Sequence, residues 1–271
     1  MPTIAQKRDT FRELHQSGCF VIPNPWDVGS ARYLVALGFK ALATTSSGFA
    51  WSRGRADSDV PLADALGHFE QIAASVAIPV NADFEGGFAT DPAGVAANVT
   101  RVVATGIAGV SIEDSTGDPV KPLFDFTLAV ERIRAASQAV AGTGVVLTAR
   151  SEGFIVGRPD LDETIRRLTA YAHAGAECLY APGIKTPDHI AAVVEAVYPK
   201  PVNVLVGGNY ATVEELADLG VRRISVGGAL ARTAWSGFMA AAREIAHRGT
   251  FEGLAAAVPF AEVNGLFTSK S

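Results

Sequence analysis

The apolar positions of this chain recur in short runs that alternate with longer amphipathic stretches. Each run is rich in Val, Ile or Leu, and an Ala-rich segment with helical spacing of its apolar residues follows it. The first pattern is typical of buried parallel strands and the second of the helices that cover them. Eight strands are predicted, at Phe20–Pro23, Ala41–Thr45, Ile78–Ala82, Gly109–Ile112, Val145–Ala149, Cys178–Ala181, Val202–Val206 and Arg223–Val226.

The predicted helices fill the intervals, and glycines mark where several of them end. Gly38, Gly106, Gly175 and Gly220 each stand where a helix would turn back into the next strand, a position at which a left-handed backbone favours glycine. The eight predicted helices are Val28–Leu37, Leu62–Ser75, Pro92–Thr105, Phe126–Val140, Leu161–Ala174, Thr186–Val197, Thr212–Leu219 and Ala229–His247.

Eight strand and helix pairs in one chain favour an α/β fold of the (β/α)8 TIM-barrel type. An open doubly wound sheet usually needs fewer strands and a switch point. Met1–Ser17 has a polar helical pattern, and two short helices, Glu252–Val258 and Phe260–Phe267, are predicted after the eighth unit. No linker or compositional break divides residues 1–271, so we expect a single domain with a C-terminal helical extension over about 251–271.

Composition narrows the possible partners. The formal charge is −5, 48% of the residues are hydrophobic, and Lys and Arg do not cluster. These features disfavour nucleic acid or an anionic membrane surface as a partner and favour a small molecule. Cys19 and Cys178 each fall in an apolar strand, so we interpret them as buried thiols. Without a signal-peptide pattern or an apolar run of membrane-spanning length, a cytoplasmic location is predicted.

The densest set of reactive side chains follows the third predicted strand. Asp83 and Glu85 come directly after the apolar run Ala77–Val80 and lead into the glycines Gly86 and Gly87. Carboxylate oxygens are hard ligands that suit Mg²⁺, and glycines allow close approach of the backbone. The segment is therefore a candidate divalent-cation site.

Polar residues also follow other predicted strands, and in a barrel such strand ends meet at one face. Asp83, Glu85 and Glu113 would face one cavity, joined by Asp57 if the loop over residues 53–59 folds across it. So many carboxylates would repel one another unless a cation, Mg²⁺ or Mn²⁺, lies among them. Alternatively, individual acids cap the following helices or pair with Arg150. The other polar strand ends are Asn24–Asp27, Thr45–Gly48, Glu113–Asp114, Arg150–Glu152 and Gly207–Asn209.

Two of these strand ends are candidates for binding substrate. Arg150 offers a planar fork of donors that suits a carboxylate or a developing enolate oxygen, with Glu152 placed to orient it. The turn Ser46–Phe49 could hold a substrate carboxylate through hydroxyl and backbone N–H groups, or be a plain loop. Asn209, after the seventh strand, is a further candidate for substrate binding.

Five of these motifs, in order, resemble the isocitrate lyase/phosphoenolpyruvate mutase superfamily. The resemblance runs from about Phe11 to Gly228. The motifs are Asn24-Pro25-Trp26-Asp27, Thr45-Ser46-Ser47-Gly48-Phe49, Asp83-Phe84-Glu85-Gly86-Gly87-Phe88, Ser111-Ile112-Glu113-Asp114 and Leu147-Thr148-Ala149-Arg150-Ser151-Glu152.

The resemblance implies a Mg²⁺-binding barrel that acts on a 2-oxo or 2-hydroxy carboxylate through a pyruvate-type enolate. It implies Asp83 as the direct metal ligand, with Asp57, Glu85 and Glu113 acting mainly through metal-bound water. It further implies that Arg150 stabilises the enolate oxygen, and that the protein is a homodimer or homotetramer that exchanges a C-terminal helix. The implied contacts to the substrate carboxylate or oxyanion come from Ser47, Gly48 and Phe49.

One departure from the superfamily bears on the reaction. Members that cleave isocitrate or 2-methylisocitrate carry a gating loop with a catalytic cysteine, but the stretch from Ser115 to Pro122 is short and has none. The Asp-Lys and Asn pattern of the mutase gate is missing too. The chain therefore most resembles cysteine-less members that act on oxaloacetate or related 2-oxo acids.

The predicted function is thus a Mg²⁺-dependent carbon–carbon lyase, with oxaloacetate decarboxylation as the simplest example. Three alternatives remain open. The first is mutase or hydrolase chemistry on a carbon–phosphorus bond. The second is a phosphate-binding barrel, suggested by Gly207-Gly208 and Gly227-Gly228 after the last two strands. The third is a non-catalytic binder of 2-oxo acids.

Overall fold

A computed structural model describes residues 1–268 as a barrel of eight parallel strands. From β2 to β8 each strand pairs in parallel with the next along the chain, and β1 pairs in parallel with β8, where Phe20 lies opposite Arg223. A backbone hydrogen bond of 3.1 Å from Ala43 N to Pro23 O joins β2 to the end of β1. The strands are β1 (Phe20–Ile22), β2 (Leu42–Ala43), β3 (Val80–Asp83), β4 (Gly109–Glu113), β5 (Val146–Arg150), β6 (Cys178–Tyr180), β7 (Val202–Leu205) and β8 (Arg223–Ser225).

Helices surround the strands, and their buried faces pack against the outside of the barrel. The largest apolar cluster lies between the two layers and includes Val99 and Ile133 from the helices and Val110 and Leu147 from the strands. The helices are α1 (Ile4–Leu14), α2 (Val28–Ala36), α3 (Ser46–Ser52), α4 (Leu62–Ser75), α5 (Pro92–Val103), α6 (Phe126–Val140), α7 (Leu161–His173), α8 (Pro187–Val197), α9 (Val213–Asp218), α10 (Ala229–Arg248) and α11 (Phe260–Thr268).

The predicted barrel, its eight strands and its eight covering helices are confirmed, with small shifts at the ends. The four glycines at the helix-to-strand joints adopt the expected left-handed conformation, with φ from 85° at Gly220 to 108° at Gly175. Because a side chain is strained at these angles, glycine is favoured there.

Two local predictions were wrong. Residues 46–49, predicted as a turn, begin the helix α3, because the Thr45 side chain accepts a hydrogen bond from Gly48 N (3.3 Å) and caps it. The predicted helix Glu252–Val258 is only a short 3₁₀ helix, Glu252–Leu254. Residues 269–271 of the predicted C-terminal extension lie outside the described residues.

Helix α1 closes the end of the barrel at which the strands begin. Phe11 is fully buried there among Phe20, Ile22 and Val146. Arg8 and Arg12 fasten the helix by donating to backbone carbonyls, including those of Ile107 (3.0 Å) and Gly144 (3.0 Å). Access to the interior is therefore from the opposite end, where the strands finish.

The long helix α10 packs little of its surface against the barrel. Of its 20 residues only Ala231 and Glu244 are buried, while Phe238 is 62% exposed. Within residues 1–268, no helix combines the length and the apolar character that crossing a membrane requires.

Candidate active site

A cavity of about 290 Å³ opens at the end of the barrel where the strands finish. Its upper lining includes Ser47 from α3, Asp57 from the following loop, Asp83 from β3 and Arg150 from β5. Its deeper lining comes from side chains that point inward from the strands, among them Asn81, Asn203 and Arg223. The cavity thus lies where active sites of this architecture are found.

Arg150 lies at the centre of a cluster of three carboxylates. Its Nη1 is 2.7 Å from Asp83 Oδ1, its Nη2 is 3.2 Å from Glu113 Oε2, and its Nε is 2.8 Å from Glu152 Oε1. Burial alone would lower the pKa of Arg150, but Glu152, Glu113 and Asp83 outweigh that effect and raise it well above its ordinary value. The guanidinium is therefore permanently charged and firmly oriented.

Asp83 is also tied to helix α3. Its Oδ2 accepts a hydrogen bond of 3.0 Å from Ser46 N, and its own backbone N donates to Thr44 Oγ1 at 2.9 Å. The helix that the sequence did not predict thus directs its N-terminus at this carboxylate. Such an arrangement favours negative charge, because unpaired N–H groups and the helix dipole both point toward it.

Glu85 and Glu113 line a second cavity of about 350 Å³, together with Ser58. The Arg150–Glu113 ion pair joins the linings of the two cavities. Burial, followed by the charges of Asp83 and Asp57, raises the pKa of Glu85 to about 7. Burial also raises the pKa of Glu113 well above its ordinary range.

The segment that carries Glu85 has an unusual backbone. Glu85 and Phe88 both have positive φ angles, 47° and 53°, which cost energy in residues other than glycine. Arg132 from α6 holds the segment in place by donating to the carbonyls of Gly86, Ala89 and Thr90. The position of the Glu85 side chain is therefore imposed by its surroundings.

The chemistry of the donor set fits a divalent cation. Asp83 and Glu113 pair with the Arg150 guanidinium, the alternative that the sequence left open, and burial together with Asp83 raises the pKa of Asp57. Among residues 1–268, no three His, Cys, Asp or Glu side chains converge closely enough to ligate one ion together. Oxygen donors spaced in this way would suit Mg²⁺ held by one or two carboxylates, with water and substrate completing its shell.

The three residues from the motif at the start of α3 have different surroundings. Ser47 lines the first cavity, with its Oγ 3.1 Å from Thr45 Oγ1. Gly48 is buried where a Cβ would lie 2.7 Å from Thr45 Cγ2 and 2.9 Å from Trp26 Cβ. Phe49 stacks on the ring of His68 at 3.9 Å between centroids and is not among the residues that line the cavity. Of the three, Ser47 is placed to touch a bound molecule.

Asn209 is exposed on the loop after β7 and does not line the first cavity. The structure instead places Tyr180, Asn203, Ser225 and Arg223 there, which sequence reasoning missed. The sequence did carry a signal for these residues, because side chains at every second position of a strand face the same side. Asn203 and Leu205, and Arg223 and Ser225, follow this spacing.

A buried network holds Glu152 against Arg150. Asp114 accepts hydrogen bonds from Glu152 N (2.8 Å), Tyr171 Oη (2.6 Å) and Arg167 Nη1 (3.1 Å). Tyr171 and Arg167 belong to α7, so this helix reaches the active-site arginine through Asp114 and Glu152. Asp114, first considered with the strand-end acids, therefore supports the site from behind.

Comparison with known proteins agrees with this geometry. The phosphoenolpyruvate phosphomutase family model matches residues 11–246. An uncharacterized Mycobacterium tuberculosis protein is 34% identical over 94% of both chains. An oxaloacetate decarboxylase from Pseudomonas entomophila is 29% identical over 79% of this chain and 76% of its own.

Solved structures show the same similarity. A protein from Burkholderia cenocepacia J2315, named provisionally as a lyase/mutase, is 46% identical and superposes with a TM-score of 0.95 over 99% of this chain and 98% of its own. An oxaloacetate acetylhydrolase bound to its product oxalate is 26% identical, with a TM-score of 0.85 over 97% and 94% of the two chains. The chain belongs to the phosphoenolpyruvate phosphomutase family, within the isocitrate lyase/phosphoenolpyruvate mutase superfamily of lyases and mutases.

Proposed function

We propose that the protein is a Mg²⁺-dependent lyase that breaks a carbon–carbon bond next to a 2-oxo carboxylate, with oxaloacetate decarboxylation as its simplest reaction. The observation that carries this proposal is the Arg150 cluster, in which Arg150 and Asp83 line one small cavity and Glu113, paired with Arg150, lines the adjoining one. The similarity to an oxaloacetate decarboxylase over most of the chain supports it.

In this proposal Asp83 would bind Mg²⁺ directly, and Asp57, Glu85 and Glu113 would bind it through water. When bound, the ion would polarise the substrate carbonyl as a Lewis acid. Of the five N–H groups of a guanidinium, Arg150 donates two to carboxylates, one to Glu152 and one to Asp83, and pairs electrostatically with Glu113, so N–H groups remain that could donate to an enolate oxygen. Ser47 can hydrogen-bond a substrate carboxylate from the rim of the same cavity.

Decarboxylation requires few catalytic groups from this site. The bond to the leaving carboxylate breaks, its electron pair moves into the enolate, CO₂ departs, and the enolate takes a proton from water to give pyruvate. No thiol is needed, and among the described residues neither cysteine lines the first cavity. Arg150 stabilises the negative charge where it develops, which is the usual role of a preorganised donor.

The test is pyruvate release from oxaloacetate with Mg²⁺, compared with Mg²⁺ alone. We expect Asp83→Ala and Asp83→Asn to reduce kcat/KM by at least about a hundredfold, a loss of about 3 kcal/mol of transition-state stabilisation. As a control, Asp64→Asn lies in the first turn of α4, outside the cavity lining, and should leave the rate unchanged. Equal rates for the wild type and the Asp83 variants would contradict the assignment.

A second candidate function is carbon–phosphorus chemistry, which the matching family model favours. A phosphoenolpyruvate phosphomutase from Streptomyces hygroscopicus is 30% identical over 67% of this chain. Phosphorus NMR of the protein incubated with phosphonopyruvate and Mg²⁺ separates the two. Phosphoenolpyruvate or free phosphate would favour the second candidate, and an unchanged spectrum would favour the lyase.

We further propose that the protein self-associates through α10 and the segment after it, as a homodimer or homotetramer. The exposed apolar side chains of this region support the proposal. Phe238 and Phe260 are 62% and 84% exposed, and an apolar cavity of about 520 Å³ lies beside Trp51 and Trp235. Surfaces of this kind commonly mark protein interfaces.

A further inference from the structure

The floor of the first cavity holds a second buried arginine, Arg223 on β8, which the proposed reaction does not use. Arg223 is 3% exposed and lines the cavity above α1. Its Nε donates to Asn203 Oδ1 at 2.8 Å, and its Nη2 donates to Thr148 Oγ1 at 3.0 Å. Its Nη1 is 3.3 Å from His15 Nε2.

Every one of these partners of Arg223 is neutral. His15 Nδ1 is 2.7 Å from Phe11 O, which can only accept, so this nitrogen carries the ring proton and Nε2 accepts from Arg223. Burial, followed by the charge of Arg223, lowers the pKa of His15 to about 3, which keeps the ring neutral. The guanidinium is thus held by dipoles and not by an opposite charge.

The contrast with Arg150 shows where positive charge remains uncompensated. Arg150 pairs with the carboxylates of Asp83, Glu113 and Glu152. No carboxylate within residues 1–268 forms an ion pair with Arg223. A buried cation without a counter-charge is costly, so an anion that can reach it is strongly favoured.

The floor also has unused hydrogen-bonding capacity. Arg223 commits three of the five N–H groups of a guanidinium. The two N–H groups that remain, one on Nη1 and one on Nη2, are donors available to an anion.

One wall of the cavity leads from the rim to this floor. The Arg150 Cζ atom is 5.1 Å from the centre of the Tyr180 ring, and Tyr180 Oη is 3.4 Å from Ser225 Oγ. Ser225 Oγ in turn accepts from Asn203 Nδ2 at 2.9 Å. The wall is therefore polar along its length, as an anion entering from the rim would require.

We propose that the floor of the cavity is a binding site for a small monovalent anionic group, either a halide ion or a carboxylate, which Arg223 holds through its free N–H groups. The site does not depend on the proposed reaction. If the group bound there is a substrate carboxylate, it is the one that remains on the product after CO₂ has left. Loss of CO₂ draws electrons away from the leaving carboxylate, and an arginine paired with it would oppose that step.

The decisive experiment is diffraction from crystals of the full chain soaked in sodium bromide, read by the anomalous signal of bromide. We expect a peak within hydrogen-bonding reach of the Arg223 guanidinium. Absence of a peak at the floor in wild-type crystals would overturn the proposal. Because this measurement uses no substrate, its failure is distinguishable from failure of the lyase assignment.

Bromide binding to matched variants is compared in solution. Bromide should raise the Tm of the wild type and of Arg222→Gln, whose arginine donates to Gly18 O and does not line the cavity. Arg223→Gln should bind bromide at least about tenfold more weakly, as expected when a charge-assisted hydrogen bond is lost. Where the glutamine variant does not fold, Arg223→Lys takes its place: it keeps the charge but loses the guanidinium N–H donors, so it should also bind bromide more weakly than the wild type. Bromide affinity equal to that of the wild type in the folded variant would overturn the assignment.

Competition between bromide and carboxylates shows which kind of anion the floor of the cavity binds. The bromide peak is measured again after soaking with acetate or malonate, which carry one and two carboxylates. Loss of the peak with either would show that the floor accepts a carboxylate and support a substrate contact. A peak that persists with both would assign the site to a free halide. Either result supports an anion site, whereas a bromide signal only at other arginines would contradict it.

Discussion

Glu152 is the side chain that best shows how single residues shape this site. It is almost completely buried, it contacts Arg150 Nε at 2.8 Å, and its own backbone N is held by Asp114. A carboxylate in this position fixes the direction of the guanidinium plane, because the Nε contact defines its orientation. In the proposed reaction Glu152 would therefore act through Arg150.

We predict that Glu152→Gln lowers kcat about ten- to hundredfold, while KM changes less, because the donor meant for the enolate loses its fixed orientation. Steady-state kinetics with oxaloacetate measure the two constants. Glu131→Gln removes a carboxylate at an exposed position of α6, outside the cavity lining, and it should change neither constant much. Equal losses in both variants would indicate a general effect on the fold.

The raised pKa of Glu85 leads to a second prediction at the scale of a residue. The native state holds this proton more tightly than the unfolded chain, so the native state is penalised when the carboxyl ionises. Stability should therefore fall as the pH rises from about 4.5, the ordinary value, through about 7. With divalent cations chelated, Glu85→Gln should be more stable than the wild type at pH 8 by about 2–3 kcal/mol, and similar to it near pH 4.

Urea unfolding at the two pH values, in the presence of EDTA, measures this difference. Glu70→Gln, on the exposed face of α4, is the matched control and should show no such dependence. Mg²⁺ should reduce the advantage of the glutamine variant at pH 8, since the ion relieves the same repulsion. A wild type that is more stable at pH 8 than Glu85→Gln without metal would contradict the raised pKa.

At the scale of elements, α3 connects the sequence motif to the carboxylate of Asp83. Gly48 lies where a Cβ would come within 2.7 Å of Thr45 and 2.9 Å of Trp26. We predict that Gly48→Ala destabilises the protein by about 1–3 kcal/mol, because a methyl group must be forced into a packed contact. It should also lower activity, since displacing α3 moves Ser46 N away from Asp83.

Gly67→Ala is the matched control for this change. Gly67 lies inside α4, and no atom lies within 4 Å of a Cβ placed there. Alanine at this position should stabilise the protein by up to about 1 kcal/mol through helix propensity. Denaturant unfolding of both variants measures the two effects, and a neutral Gly48→Ala would show that α3 can shift without cost.

The elements also show what could and could not be predicted from the sequence. The strands were predictable because a parallel strand buried on both faces produces a nearly continuous apolar run. Helix α3 was missed because seven residues with serine and glycine have no strong period, and a single cap from Thr45 and tertiary contacts decide its structure. Tyr180, Asn203, Arg223 and Ser225 could not be picked out in the same way, because they lie within the predicted strands, where an isolated polar residue does not show whether it faces the cavity.

At the scale of the whole molecule, α10 leaves much of its apolar surface exposed on a single chain. We predict that the protein is an oligomer in solution and that Phe238→Asp shifts it toward the monomer, because a charge in an apolar interface is costly. Light scattering coupled to gel filtration measures the mass. Val213→Asp, also at an exposed apolar position but on α9, should leave the mass unchanged. A wild-type mass equal to one chain would contradict the prediction.

Carboxylates neutralise the charge of Arg150 but not that of Arg223, so charge is unevenly distributed along the axis of the barrel. Carboxylates dominate the rim, and an unbalanced guanidinium lies at the closed end. The resulting field runs along the barrel axis through any molecule between them. Without a metal ion, a carbonyl bound there would have its oxygen drawn toward the closed end, whereas a cation among the rim carboxylates would weaken or reverse this field, and the infrared stretching frequency of the carbonyl would report the difference.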